Sequence, residues 1–257
     1  MVFQAYGDCL KKAEALFGNY EDTMIRSCFQ QIMGSVFIED DCRPEAAAAV
    51  LGCFRFFAGK PSAELLRMNL DGFAILTPQN ERWSGEIEKC FGDRCVRRTR
   101  YALKKDTVFD RTSLVRMSET LPEGYSLKMI DSGLYDQCME HPWSRDFVSN
   151  FESKDSFLSD GIGVVAVRDG TIAAGASSFS RYREGIEVEV DTRKDCRRMN
   201  LATACSAKLI LECLARGLYP GWDAQNIVSL HLAEKLGYVF SHEYPVYEID
   251  VENTAID

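Results

Sequence analysis

The chain has 257 residues, 46% of them apolar, and a formal net charge of −9. That length supports one large core or two modest ones, and an acidic balance without a long basic block argues against a nucleic-acid partner and weakly favours small amines. The opening stretch MVFQAYGDCLKKAEALFGNY lacks the basic region and apolar run of a leader, no segment is long and apolar enough to span a bilayer, and ten cysteines without a CxxC pair, beside three histidines, point to free thiols in a reducing cytoplasm rather than disulfides or a metal site.

In chain order, the spacing predicts helices near 8–17 and 21–33, a strand at SVFIED (35–40), a strand over AAVLGCFRFFAG (48–59) and a helix at 62–69. GFAILTPQNERWSGEIEKCFG (72–92) reads as strand, turn and capped helix. RTSLVRMSETLPEGYSLKMID (111–131) looks like a seam, because polar residues run into Pro122 and Gly124 before a strand starts at Tyr125. The boundary is placed near 120, giving an N-terminal α/β domain, 1–120, and a second domain, 121–257.

The second half is easier to read. Tyr125–Ile130 is a strand, 132–159 one or two amphipathic helices, 161–170 and 171–182 a hairpin, and GIEVEVDT (185–192) a strictly alternating strand. A helix over 201–216 carries a polar stripe, Lys208, Glu212 and Arg216, and an apolar one, Leu201, Cys205, Leu209 and Cys213, with Gly217 after its end. LYPGWDA (218–224) is a short strand, Asn226 caps a helix over 227–236 that Gly237 ends, and 238–249 gives two strands. Shifting 72–92 by 146 positions onto 218–238 matches Gln79 with Gln225, Asn80 with Asn226, Glu88 with Glu234 and Lys89 with Lys235, and Tyr101 falls on Tyr247. This points to a shared ancestral unit, although any Asn-capped helix after a strand attracts such residues.

RRMNLATACSAKLI (197–210) has the rhythm of a phosphate-cradling loop opening into a helix. Backbone N–H groups entering a helix converge on one spot, and the helix dipole adds partial positive charge there. Ala202 and Thr203 are small enough to admit a pyrophosphate. Asn200 stands where such loops place glycine; it tolerates left-handed dihedrals at a cost of about 1 kcal/mol, while its side chain narrows the approach. An ordinary helix start is the plainer alternative. Upstream, Glu187, Glu189 and Asp191 alternate with Ile186, Val188 and Val190, so three carboxylates share one strand face. They read either as a candidate general base beside an anion site or as a solvated sheet face.

Residues 125–249 resemble the GCN5-related N-acetyltransferase (GNAT) family. Arg197-x-x-Asn200-x-Ala202 is similar to its Q/R-x-x-G-x-G/A signature with the glycine replaced, and WDAQNIVSLHLAEKLGY (222–238) is similar to its later Asn-led helix ending in E-K-L-G-F/Y. More narrowly, the chain resembles a bacterial subgroup with an extra N-terminal domain, which includes a zwittermicin-resistance acetyltransferase. The resemblance implies an α/β (α+β) fold, with a mixed, splayed central sheet flanked by helices in the second domain and a related, degenerate GNAT-like N-terminal domain.

It further implies transfer of an acetyl group from acetyl-CoA, as co-substrate, to a primary amine, without a metal. The co-substrate would lie between strand 186–192 and strand 218–223, its pantetheine arm pairing with the backbone near Val190 and Thr192. The signature opened by Arg197 would hold the pyrophosphate through N–H groups of Arg198, Met199, Asn200, Leu201, Ala202 and Thr203, and Asn226 and Ser229 would face the pantetheine and thioester. Glu187 is the first choice for general base and Glu189 the second, since an ammonium has no lone pair until it loses a proton. A backbone N–H near Val190 would polarise the carbonyl.

The family's tyrosine acid falls on Ala233, which leaves Tyr244, Tyr247, His242 or water. The acidic strand favours a small cationic acceptor, and a homodimer is one possible assembly. Two alternatives stand beside this: an aminoacyl or larger acyl transferase, which the acidic balance disfavours, and a non-catalytic CoA-binding sensor or interaction protein, with Asn200 and Ala233 as marks of decay. His231 and the cluster Arg97, Arg98 and Arg100 read as solvated surface, and Trp222 as strand-end packing. Trp143 and Phe147 read as walls of the acceptor pocket or as core.

Overall fold

The computed structural model describes residues 1–40 and 43–250. The first elements are β1 (Phe3–Gln4), α1 (Gly7–Phe17), α2 (Thr23–Phe29), β2 (Ser35–Ile38), β3 (Ala46–Leu51), β4 (Phe54–Gly59), α3 (Ala63–Arg67), β5 (Phe73–Pro78), α4 (Glu81–Phe91) and β6 (Cys95–Leu103). Then come α5 (Arg111–Glu119), β7 (Ser126–Met129), α6 (Ser132–Glu140), α7 (Pro142–Arg145), α8 (Lys154–Asp160), β8 (Gly163–Arg168), β9 (Thr171–Tyr182) and β10 (Gly185–Thr192). The last are α9 (Leu201–Ala215), β11 (Tyr219–Gly221), β12 (Asp223–Ala224), α10 (Ile227–Lys235) and β13 (Phe240–Asp250). Contacts divide the chain into two units: Met1–Arg100 with the segment from Glu243, and Tyr101–His242. The seam read near 120 therefore lies inside the second unit. Pro122 and Gly124 only turn the chain from α5 into β7, and Leu114 of α5 is buried in one cluster with Leu209 and Ile210 of α9.

The first unit's sheet runs β1-β2-β3-β4-β5-β13, antiparallel except for the β4–β5 pair. Its core stacks the Phe57 ring on Trp83 at 5.0 Å and gathers Leu65, Leu66, Leu76, Ile87 and Tyr247. The run 48–59, read as one strand, belongs to a hairpin. Gly52, at φ +54°, turns β3 into β4, with Leu51 opposite Phe54; unbroken apolar residues on both sides hide this turn in the sequence.

The second unit's five-stranded sheet runs β11-β10-β9-β8-β7, with β10–β11 parallel and the rest antiparallel. Helix α9 forms with both stripes as read: Lys208 pairs with Glu212 at 2.7 Å, and Leu201, Cys205, Leu209 and Cys213 are buried against Ala174, Ala176 and Ile186 of the sheet. Each fully buried leucine there contributes roughly 2 kcal/mol. The segment 218–224 is not one strand: β11 pairs with β10, while β12 pairs with β6, Asp223 opposite Ala102 and Ala224 opposite Tyr101. Residues 238–249 form one long strand rather than two. Pro245 precedes the rungs with β5, which begin at Tyr247↔Leu76.

The internal match is mirrored in geometry. Asn80 (φ −160°, ψ 173°) accepts from the amides of Arg82 and Trp83, and Asn226 (φ −157°, ψ 174°) accepts from those of Val228 and Ser229. The strand after each capped helix carries the matched tyrosine. Tyr247 pairs with β5 in the first unit, and Tyr101 with β12 in the second. Because the cap satisfies amides that would otherwise be orphaned, Asn80→Ala should lower unfolding stability by about 1 kcal/mol, read as a lower urea midpoint at unchanged slope.

Candidate active site

The site begins where two parallel strands part. β10 and β11 pair from Gly185↔Tyr219 to Glu187↔Gly221 and no further. At the closed end they crowd: a Cβ on Gly185 would lie 2.1 Å from the Tyr219 carbonyl oxygen. Beyond Gly221 the chain turns at buried Trp222 into β12, while β10 continues to Thr192 beside β9. Arg193 N donates to Ala173 O at 2.9 Å. By the alternation of antiparallel pairs, Asp191 and Glu189 also bond to β9, and the N–H and C=O of Val190 and Thr192 point to the open edge. Thr192 is already engaged there: its N–H donates to Asp191 Oδ1 at 2.6 Å and its carbonyl accepts from Arg197 Nε at 3.3 Å.

The loop after β10 holds two left-handed residues, Arg198 and Asn200, both at φ +64°. The Asn200 side chain, at the N-cap of α9, makes no cap hydrogen bond. Its Oδ1 instead accepts from Lys235 Nζ at 2.8 Å, and the same ammonium donates to Thr203 Oγ1 at 3.3 Å. The N-cap side chain thus takes none of the first-turn amides, from Leu201 through Thr203, and a lysine lies beside that turn, an arrangement that suits an anion. Leu201 can offer only its backbone, since its side chain is core. Met199 is half-buried, its sulfur 3.9 Å from the Tyr125 hydroxyl.

On β10, Glu187 is buried, with 4% of its surface exposed, while Glu189 and Asp191 are half-buried, so the carboxylate face is not a freely solvated one. Lys105 Nζ lies 3.9 Å from Glu187 Oε2 and donates to the Trp222 carbonyl at 3.1 Å. A bulge at Phe179 brings Ser180 and Ser177 opposite Glu187 and Glu189 on that same face. Both serines are buried, and their hydroxyls find no partner among the described residues. Asn226 spends its Oδ1 on its helix cap, and Ser229 Oγ accepts from Trp222 Nε1 at 3.2 Å.

Lys105 gives no signal in the sequence, being joined to Glu187 only by the fold. Lys235 sits within the E-K-L-G match, but its bond to Asn200 could not be foreseen. Ala233, at the family's tyrosine position, is fully buried in the core. Tyr247 is not available as an acid: it lies in the first unit's core with its hydroxyl 2.5 Å from Glu88 Oε1. Burial pushes the thiols of Cys205 and Cys213 up to about 12, so neither serves as a nucleophile. Arg100 is not solvated as expected; it is buried and sits over the Phe54 ring at 5.0 Å, while Arg98 pairs with Glu248 at 3.0 Å.

Phe147 packs on Gly175, where a Cβ would meet its ring at 2.6 Å. Trp143 lines a cavity of about 510 Å³ with Glu140, His141 and Arg193. Because Arg193 follows the far end of β10, this cavity lies roughly 20 Å along the strand from Glu187 and does not adjoin it.

The first unit differs at the matching places. β4 and β5 pair from Phe54↔Ile75 to Phe57↔Pro78, and β4 runs only to Gly59 beyond that rung. Helix α3 has five residues, and Ser62 caps it. A shallow cleft at its start is lined by Glu39, Glu45 and Glu64 with Lys60, which disfavours an anion.

The chain is similar in sequence and fold to proteins of one family. The sequence pattern of the GNAT acetyltransferases matches residues 14–247. A GCN5-related N-acetyltransferase-like protein from Streptococcus suis 89/1591 is similar at 44% identity and a TM-score of 0.91, over 94% of this chain and 98% of that one. A tandem GNAT protein from the clavulanic acid biosynthesis pathway shares the fold at 11% identity and a TM-score of 0.59, over 100% of this chain and 99% of that one. The uncharacterised N-acetyltransferase YdfB of Bacillus subtilis (strain 168) is 27% identical over 129 residues, 49% of each protein, so the match spans about half the length of that curated relative. With the family pattern running through both units and the splayed strands ending at an uncapped helix, the chain belongs to the GNAT acetyltransferase family.

Proposed function

We propose that this protein transfers the acetyl group of acetyl-CoA to the primary amine of a small, cationic acceptor, by direct attack and in the cytoplasm. The observation that carries this reading is the pairing of an uncapped helix mouth with a buried carboxylate at the closed end of the strand gap. The residues present fit the co-substrate. The amides at 201–203 and Lys235 suit a diphosphate, and Val190 offers an open strand edge to an amide-bearing arm. When bound, acetyl-CoA supplies an activated acyl carbon as its thioester. Glu187 takes the proton that an ammonium must lose before its nitrogen can attack, and Glu189 is the second choice for that role. Holding acceptor and thioester together supplies several kcal/mol of the acceleration. The buried hydroxyls of Ser177 and Ser180 favour an acceptor with polar groups near its amine.

Ala233 favours a second reading, a CoA-binding sensor without turnover. The two separate on Glu187→Gln. As an enzyme, the variant should lose roughly 100-fold in kcat at unchanged CoA affinity, measured as thiol release over a panel of amines. A sensor would show no thiol release in either form.

The loop makes its own prediction. Asn200→Ala keeps a Cβ at φ +64° but loses both the left-handed tolerance and the Lys235 bond. CoA affinity should fall by about 1 kcal/mol, whereas Asn200→Gly, which loses the Lys235 bond but not the left-handed tolerance, should lose less by titration calorimetry.

A further inference from the structure

We propose that Lys105 is the proton donor to the departing thiolate, the role for which buried Ala233 has no proton. This inference rests on the acyl-transfer proposal. Lys105 sits at the point where the strands part: the last rung is Glu187↔Gly221, and its ammonium spans from the Trp222 carbonyl, 3.1 Å away, to Glu187 Oε2, 3.9 Å away. Its backbone is pinned. The Tyr219 hydroxyl donates to Lys104 O at 3.0 Å and accepts from Thr107 N at 3.3 Å, so the residues flanking Lys105 are tied to β11. Its side chain is 19% exposed, so it is partly shielded from solvent.

The other acids nearby are committed. Tyr219 spends its proton on Lys104 O, and Tyr238, fully buried, donates to Pro220 O at 2.7 Å. Burial holds the Tyr238 phenol well above its ordinary value, which makes it a poor donor.

The step balances as follows. Glu187 first takes the ammonium's proton and passes it to solvent; the neutral amine then attacks, the C–N bond forms, and the second proton shed by nitrogen goes to Glu187. The C–S bond breaks with its electron pair on sulfur, and Nζ–H of Lys105 delivers a proton to that sulfur. Glu187 then returns its proton to Nζ, directly or through one water. The products are the amide and the free thiol, and both side chains regain their starting forms. Glu187 and Lys105 thus act as one proton circuit, drawing from nitrogen and discharging at sulfur.

The test uses the full chain with Lys105→Met and Lys105→Arg. Free CoA is the first probe, its thiol titrated in the bound state by thiolate absorbance. The natural protein should ionise the bound thiol at lower pH than free CoA, and Lys105→Met should remove that shift. Single-turnover acetyl transfer to the best amine is the second readout. Both variants should be slower by roughly 100-fold, because arginine keeps the charge but does not release its proton. Recovery of the rate in Lys105→Arg, or a thiol titration indifferent to Lys105→Met, overturns the inference and leaves acyl transfer standing. If the natural protein neither binds CoA nor forms an amide, acyl transfer falls, and this inference with it.

Discussion

Parallel pairing between β10 and β11 stops at Glu187↔Gly221, and the chemistry proposed for the second unit depends on that early stop. At its closed end only glycine fits, since any Cβ on residue 185 would strike Tyr219. At its open end β10 keeps an edge with Val190 unpaired toward the gap. An unpaired edge usually invites aggregation; here it lies beside an uncapped helix mouth, where strand addition by a ligand arm can satisfy it. Trp222 enforces the parting. Its ring is buried, its indole N–H is held by Ser229, and its carbonyl by Lys105, so the chain leaves β10 and enters β12.

The first unit holds the same parts with a smaller gap. Its Asn-capped helix and parallel pair are present, but β4 runs only to Gly59 past its last rung, Phe57↔Pro78, and the helix after β4 is short and capped by its own serine. Anion binding at a helix start needs amides left over, and Ser62 has taken one while Glu39, Glu45 and Glu64 gather nearby. The two halves therefore share cap geometry at Asn80 and Asn226, while the residues proposed for chemistry lie in the second unit.

Much of this was legible because it is local. Alternation marked β10, four-residue spacing marked α9, and asparagine before an apolar run marked two caps that formed with the expected bonds. What stayed hidden depends on distant partners. The hairpin in 48–59 lay inside an apolar run with only Gly52 to betray it. The split of 218–224 arises because its two ends join different sheets, and nothing in seven residues states that. Arg100 looks like one of a solvated trio, yet burial over Phe54 sets it apart. Lys105 acquires meaning only once Tyr219 has fixed the segment around it.

Asn200 shows how a departure from a motif can preserve the motif's physics. A left-handed residue other than glycine costs about 1 kcal/mol or more, least for asparagine. A hydrogen bond to a charged group offsets about 1.5 kcal/mol when shielded, and less at the surface where this one lies. The two terms nearly cancel, so the substitution is close to neutral for the fold. Its side chain, turned toward Lys235, cannot cap the helix it begins, in contrast to Asn226, whose extended backbone lets it bond the amides ahead. The same residue type therefore closes one helix start and leaves the other open, and backbone dihedrals alone decide which. With the ammonium of Lys235 drawn to that helix start, an asparagine that resembles decay leaves the amides uncapped by its own side chain and brings a positive charge beside them.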